Sequence, residues 1–134
     1  VMAKATYSYH DARFTDFVQF FGGVPTQLAG KRLEMSAHNL AAFGIFYAPE
    51  RGFTGGVNVY YTGARFLNKR NTAPVGGFAT FNVSAGYRTR KWELRVDAAN
   101  LGNRRDPVAE SELGDAQYYL MTPRRLVGAF TLHF

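Results

Sequence analysis

The chain contains no cysteine, so neither a disulfide framework nor a thiolate metal centre can be built from it. No apolar run approaches the roughly 18 to 20 residues that a membrane-crossing helix requires. Mean hydropathy is -0.22, a value that argues against helices crossing a bilayer and says little about strands. A strand that alternates lipid-facing and water-facing side chains averages out in any hydropathy window. Val1 to Phe14 lacks the charged start, apolar core and small-residue cleavage site of a secretory leader, so an exported precursor is expected to carry that leader upstream. Neither H-E-x-x-H nor G-x-S-x-G occurs, and His10, His38 and His133 fall on separate segments. Zinc hydrolysis and nucleophile-elbow chemistry therefore find no support, and neither an enzyme nor a cofactor is expected.

What the chain has is aromatic residues at 16% and 14 glycines in 134 residues. That mixture suits sheets with aromatic girdles and tight turns better than helical bundles. The formal charge is +6, yet the basic residues come as separate pairs: Lys31-Arg32, Lys69-Arg70, Arg90-Lys91, Arg104-Arg105 and Arg124-Arg125. Pairs set mostly between periodic segments read as solvated loops and interface anchors, not as a nucleic-acid face.

The stretch from Pro123 to Phe134 sets the pattern for the whole chain. From Leu126 onward every second residue is apolar or small, namely Leu126, Gly128, Phe130, Leu132 and Phe134. Side chains on a strand alternate faces, so one face is greasy and the other mixed. Such an ending suits a strand held at a membrane interface, and it equally suits a half-buried strand of a soluble sheet.

The same alternation predicts strands over residues 2–13, 39–48, 53–66, 78–88 and 92–101. The fifth is the most informative, because Glu93, Arg95 and Asp97 alternate strictly with Trp92, Leu94, Val96 and Ala98. One face must then see water or a wet interior, where opposite charges can pair, and the other sees hydrocarbon or core. A shared strand face with Arg95 between Glu93 and Asp97 reads as a salt-bridge ladder and not as a catalytic carboxylate pair.

Connections run long (14–38), short (49–52), medium (67–77), short (89–91) and long (102–122). The short ones fall on one end of an up-and-down sheet and the longer ones on the other, the asymmetry of outer-membrane barrels. Phe14, Phe17, Phe20 and Phe21 in the first loop suggest a short helical turn or a sticky tip. Tyr47, Phe53, Tyr87, Trp92 and Phe134 near the short turns, with Tyr9, Tyr61 and Phe66 toward the long loops, form two candidate girdles. The expected fold class is all-β: an antiparallel up-and-down transmembrane β-barrel segment. About six strands fall short of the roughly eight with which single-chain bacterial barrels begin, so the segment should be part of a larger barrel.

One ordered set of residues carries a family resemblance. Gly30-Lys31-Arg32-Leu33, Gly63-x-Arg65-Phe66, Asn71, Pro74, Gly86-Tyr87, Trp92, Asn100-Leu101, Arg104-Arg105, Tyr118-Tyr119, Pro123-Arg124 and a final Phe134 resemble the C-terminal strands of TonB-dependent outer-membrane receptors. Gly102 and Asp106 stand where that family often has aromatics, and Gly128 falls one residue early in the terminal signal, leaving the subfamily open. The resemblance implies a bacterial outer-membrane location and import, energised by TonB, of a scarce nutrient such as a ferric siderophore. It further implies a barrel of about 22 strands closed by a plug, with plug and TonB-contacting segment outside this sequence. Implied partners are outer-membrane lipid and lipopolysaccharide and a small-molecule ligand such as a ferric chelate.

Ligand capture would fall to the long loops, where Phe20, Arg104, Arg105, Tyr118 and Tyr119 offer stacking and charge for an anionic or catecholate chelate. Arg104 and Arg105 could equally meet lipopolysaccharide phosphates, and Tyr118 and Tyr119 could cap a girdle. Asp106, Glu110, Glu112 and Asp115 form an acidic cluster without the compact spacing of a calcium loop, and read as a solvated acidic loop. A passive porin, a small structural barrel and a soluble β-barrel binder remain open; the last would place Leu94 and Val96 inside.

Overall fold

A computed structural model, which describes residues 1–110 and 117–134, is built of strands alone among those residues. They are β1 (Met2–Tyr9), β2 (Val18–Phe21), β3 (Val24–Gln27), β4 (Asn39–Tyr47), β5 (Gly52–Thr62), β6 (Arg65–Phe66), β7 (Pro74–Val75), β8 (Phe78–Arg88), β9 (Trp92–Ala99), β10 (Pro107–Glu110), β11 (Tyr118–Leu120) and β12 (Arg125–Leu132). Six of them form one antiparallel sheet in the order β1-β4-β5-β8-β9-β12, and the rest pair as β2-β3, β6-β7 and β10-β11. The long strands follow chain order, so the sheet is an up-and-down meander. It does not close on itself, which leaves β1 and β12 as its two edges.

Register gives each face its composition, since residues directly opposite in an antiparallel pair share a face. One face carries Lys4, Thr6, Thr54, Asn58, Thr80, Asn82, Ser84, Arg88, Glu93, Arg95, Asp97 and Thr131; the other carries Phe43, Ile45, Val57, Val59, Phe81, Val83, Leu94, Val96, Leu126, Phe130 and Leu132. Among the described residues no other element packs against the apolar face. Leu94 is 49%, Val96 48% and Phe130 62% exposed, so among the described residues no globule closes over these side chains. A soluble domain rarely leaves so broad an oily surface bare.

Across β5, β8, β9 and β12 the aromatics form a continuous row on that face near the short turns. Phe53 meets Tyr87 at 5.0 Å between ring centroids, Tyr87 meets Trp92 at 5.8 Å, and Trp92 meets Phe130 at 6.3 Å. Phe53 and Tyr61, the latter toward the other end of the same face, are separated by about 26 Å of strand at ~3.3 Å per residue. Tilted as barrel strands are, that length suits an apolar band of about 25 Å or less. Phe66 does not join the upper belt as expected. It leaves the sheet in β6 and lies beneath the Arg32 guanidinium, 5.5 Å from its ring centre.

The strands end where local chemistry stops them. The third expected strand ends at Thr62, and the Gly63 N–H still donates to the Asn39 carbonyl at 2.8 Å, the last rung against β4. A Cβ at Gly63 would sit 3.0 Å from that same oxygen. The first expected loop contains a hairpin in place of a helical turn. Gly22 and Gly23, at φ 58° and 81°, form a two-residue turn that suits the twist of the flanking strands, and Phe20 and Phe21 lie in β2. Strands of four residues are too short to reveal a period.

The small buried core lies at the long-loop end: Leu28, Ala37, Leu67 and Phe78, with Arg65 and Asn100 as buried polar residues. The wall is thus a single layer whose packing on either face must come from outside it, and the loops carry the packing of their own.

Candidate functional site

Two regions of the molecule hold chemistry: the polar face of the wall and the loop cluster above it. On the wall, Arg88 forks onto Glu93, Nε to Oε2 at 2.8 Å and Nη2 to Oε1 at 3.1 Å. Arg95 reaches Asp97 Oδ1 from Nε at 3.0 Å and from Nη2 at 2.7 Å. The expected ladder exists, with Arg88 on the neighbouring strand as the principal partner of Glu93. A cleft of about 340 Å³ runs beside it, lined among others by Asn58, Asn82 and Ser84. Each of the two carboxylates is held by a guanidinium, so the strand presents ion pairs to water and not a free acid–base couple. Pairs this exposed to water contribute little to stability.

Above the wall, the first and second loops are fastened through Asn71. Its Oδ1 accepts from the Arg32 N–H at 2.8 Å and its Nδ2 donates to the Arg32 carbonyl at 2.9 Å. The Met35 N–H donates to the Phe66 carbonyl at 2.7 Å, and Arg70 covers the Phe21 ring at 4.9 Å. Asn71 takes φ 59°, a conformation that asparagine tolerates better than other residues with a Cβ.

Asn100 anchors the third loop from both sides. Its N–H donates to Asn82 Oδ1 at 2.9 Å, its Nδ2 donates to the Arg104 carbonyl at 2.8 Å and to the Thr122 carbonyl at 3.0 Å, and its Oδ1 accepts from the Arg104 N–H at 2.9 Å. It is buried and sits at φ 50°. Asn103, also at φ 50°, accepts the Arg124 N–H at 3.0 Å. Both ends of the loop are therefore clamped to the rim of the sheet by side-chain amides.

Arg65 ties the second loop to the third. It is 5% exposed, lies 5.1 Å over the Phe78 ring and donates from Nη2 to the Pro107 carbonyl at 2.8 Å. Burial pulls its pKa down, and the negative charge of Asp106 acts the other way. Asp106 itself is forked by Arg104, Nε to Oδ2 at 2.8 Å and Nη2 to Oδ1 at 2.7 Å. That guanidinium holds the Asp106 carboxyl below the usual carboxylate range, and the Arg104 pKa is raised by the same pairing.

Of the residues expected to capture ligand, Phe20 is exposed on β2 opposite Pro25. Arg105 is exposed, and Tyr118 and Tyr119 are exposed on β11 opposite Glu110 and Ala109. Arg104 is half exposed and committed to Asp106. Four of the five thus share the third loop, while no hydrogen bond, ring contact or cation–π contact among the described residues joins Phe20 to them. In the acidic cluster, Asp106 is taken by Arg104 and Glu110 lies in β10, while Glu112 and Asp115 lie outside the described residues. The sequence pattern picked out Asn71, Asn100 and Arg65 only as resemblance markers; an Asn just past a strand end, where the chain must turn with φ > 0, was the available signal of their anchoring role.

The family model for the β-barrel of TonB-dependent-receptor-like proteins matches residues 1–101. No curated protein matches. Among solved structures, the siderophore receptor PiuA from Acinetobacter baumannii overlaps with a TM-score of 0.77 at 20% identity, over 96% of this chain and 19% of that one. The ferric yersiniabactin uptake receptor FyuA from Yersinia pestis gives 0.62 at 19% identity, over 77% of this chain and 17% of that one. BauA, the ferric preacinetobactin receptor from Acinetobacter baumannii, gives 0.57 at 21% identity, over 77% and 16%. The chain spans about a fifth of the length of these receptors or less.

Proposed function

The chain belongs to the TonB-dependent receptors, matching their β-barrel, and on that premise we propose that it forms part of the wall and outer loops of an active-transport receptor in a bacterial outer membrane. The apolar face meets lipid, the polar face lines a hydrated bore, and the long loops face outward to collect a scarce nutrient such as a ferric siderophore. Energy from TonB and a movable plug would be supplied by other parts of the intact protein. One observation carries the reading: Leu94, Val96 and Phe130 stand bare on one face while Glu93, Arg95 and Asp97 line the other. A wall of this kind suits a barrel because closure pairs every strand edge, so no backbone group faces lipid unsatisfied.

Capture is assigned to Phe20, Arg104, Arg105, Tyr118 and Tyr119, with exposed rings for stacking and guanidinium groups for anionic oxygens. The exposed basic residues of the loops would also meet lipopolysaccharide phosphates. In cells carrying the intact receptor, accumulation of iron-55 as a ferric siderophore should require both the receptor and an energised inner membrane. Accumulation indifferent to energy, together with solute flux through the protein in liposomes, would point to a passive porin and defeat the proposal.

A further inference from the structure

The two short turns of the wall lie side by side. Residues 48–51 lead from β4 into β5 and residues 89–91 from β8 into β9, and β5 pairs with β8 so that Gly52 stands opposite Arg88. The turns carry Arg51, Arg90 and Lys91, all exposed, against one carboxylate, that of Glu50. Among the described residues no ion pair engages any of these three cations, whereas the adjacent Arg88 is held by Glu93. All four strands that the turns join have their neighbours on both sides in the sheet.

Next to these turns, on the apolar face, runs the row of rings Phe53, Tyr87, Trp92 and Phe130. Trp92 follows Lys91 directly and Phe53 follows Arg51 by two residues, so the cations begin about 3 to 7 Å beyond the rings at ~3.3 Å per residue. Aromatic belts sit at the level of lipid headgroups. Basic side chains just beyond such a belt reach the phosphates with their charged ends.

We propose that this rim is a seat for anionic phospholipid, with Arg51, Arg90 and Lys91 around the headgroup and Phe53, Tyr87 and Trp92 against the upper acyl chains. The proposal rests on the membrane-wall reading above, which turns the short-turn end to the periplasmic leaflet. It adds a preference for headgroup charge that an apolar belt alone does not have.

Two physical features support it. Each basic residue at an anionic membrane surface strengthens association about fivefold, whereas a zwitterionic lipid brings the same phosphate with a compensating ammonium. The second turn is also set before a lipid arrives. Thr89 Oγ1 accepts the Lys91 N–H at 3.2 Å and the Trp92 N–H at 3.0 Å, and the Lys91 carbonyl accepts the His133 N–H at 2.8 Å. Only the side chains of Arg90 and Lys91 are left to order there.

The test uses the intact receptor, labelled with fluorinated tryptophan, in phosphatidylcholine nanodiscs. These are doped at equal mole fraction with phosphatidylglycerol or phosphatidylcholine spin-labelled high on the acyl chain. The Trp92 fluorine resonance is the one lost in Trp92→Phe. Spin-labelled phosphatidylglycerol should broaden it roughly fivefold more than spin-labelled phosphatidylcholine. The triple variant Arg51→Gln, Arg90→Gln, Lys91→Gln should erase that difference, with folding checked by heat-modifiable gel migration, while Lys31→Gln at the loop end keeps it. Equal broadening by the two lipids in the parent protein, or a preference retained by the folded triple variant, overturns the seat and leaves the membrane wall standing. A Trp92 resonance that neither label broadens overturns the membrane wall itself, and the seat with it.

Discussion

Arg65 Nη2 and the carbonyl oxygen of Pro107 lie 2.8 Å apart across 42 residues of sequence. This bond joins the base of the second loop to the start of the third. Arg65 is buried over Phe78 and its removal leaves the part-buried Pro107 carbonyl without that donor, a loss of about 1 kcal/mol. Arg65→Met should keep the barrel folded and loosen the third loop. Cleavage by a protease within residues 101–124 should speed up several-fold relative to cleavage elsewhere, and unchanged cleavage would remove the tether from the account.

Asn100 combines a left-handed backbone with four hydrogen bonds. Asn100→Ala forfeits the side-chain bonds and keeps the backbone strain, so a loss of about 2 to 4 kcal/mol is expected. Asn100→Gly relieves the strain while losing the same bonds and should recover roughly 1 kcal/mol of it. Urea unfolding of the intact protein in detergent or lipid measures both, and equal stability of the two variants would contradict the role given to φ.

Val96 and Val127 sit at neighbouring depths on opposite faces, Val96 opposite Gly128 and Val127 opposite Asp97. A lysine on the lipid side costs about 2 to 4 kcal/mol near the middle of the bilayer, and one on the wet side costs little. Val96→Lys should therefore impair folding into lipid vesicles while Val127→Lys, beside Asp97, folds like the parent. The reverse ranking would turn the sheet inside out.

The Arg104–Asp106 fork predicts a pH dependence confined to the third loop. The Asp106 pKa is depressed in the folded chain, so the carboxylate stabilises the loop above its unfolded pKa of roughly 3.9, and that contribution is lost as pH falls through the lower folded value. Protection of the loop amides, taken as exchange relative to the intrinsic rate at each pH, should fall as pH drops from about 5 to 2. Asp106→Asn should remove the dependence while leaving the wall strands alone.

The alternation of Trp92 to Ala99 and of Leu126 to Leu132 was enough to place the strands, their faces and the long and short ends. Period 2 is a local property, written residue by residue into each strand, and the face that a side chain takes follows from its parity. The fastening of the loops was not legible in this way. Asn71 binds Arg32 across 39 residues and Arg65 binds Pro107 across 42, and pairings at such distances are set only when the sheet brings strand ends together. The hairpin at Gly22-Gly23 and the turn of Phe66 away from the belt belong to the same class, since packing under the loops decides both.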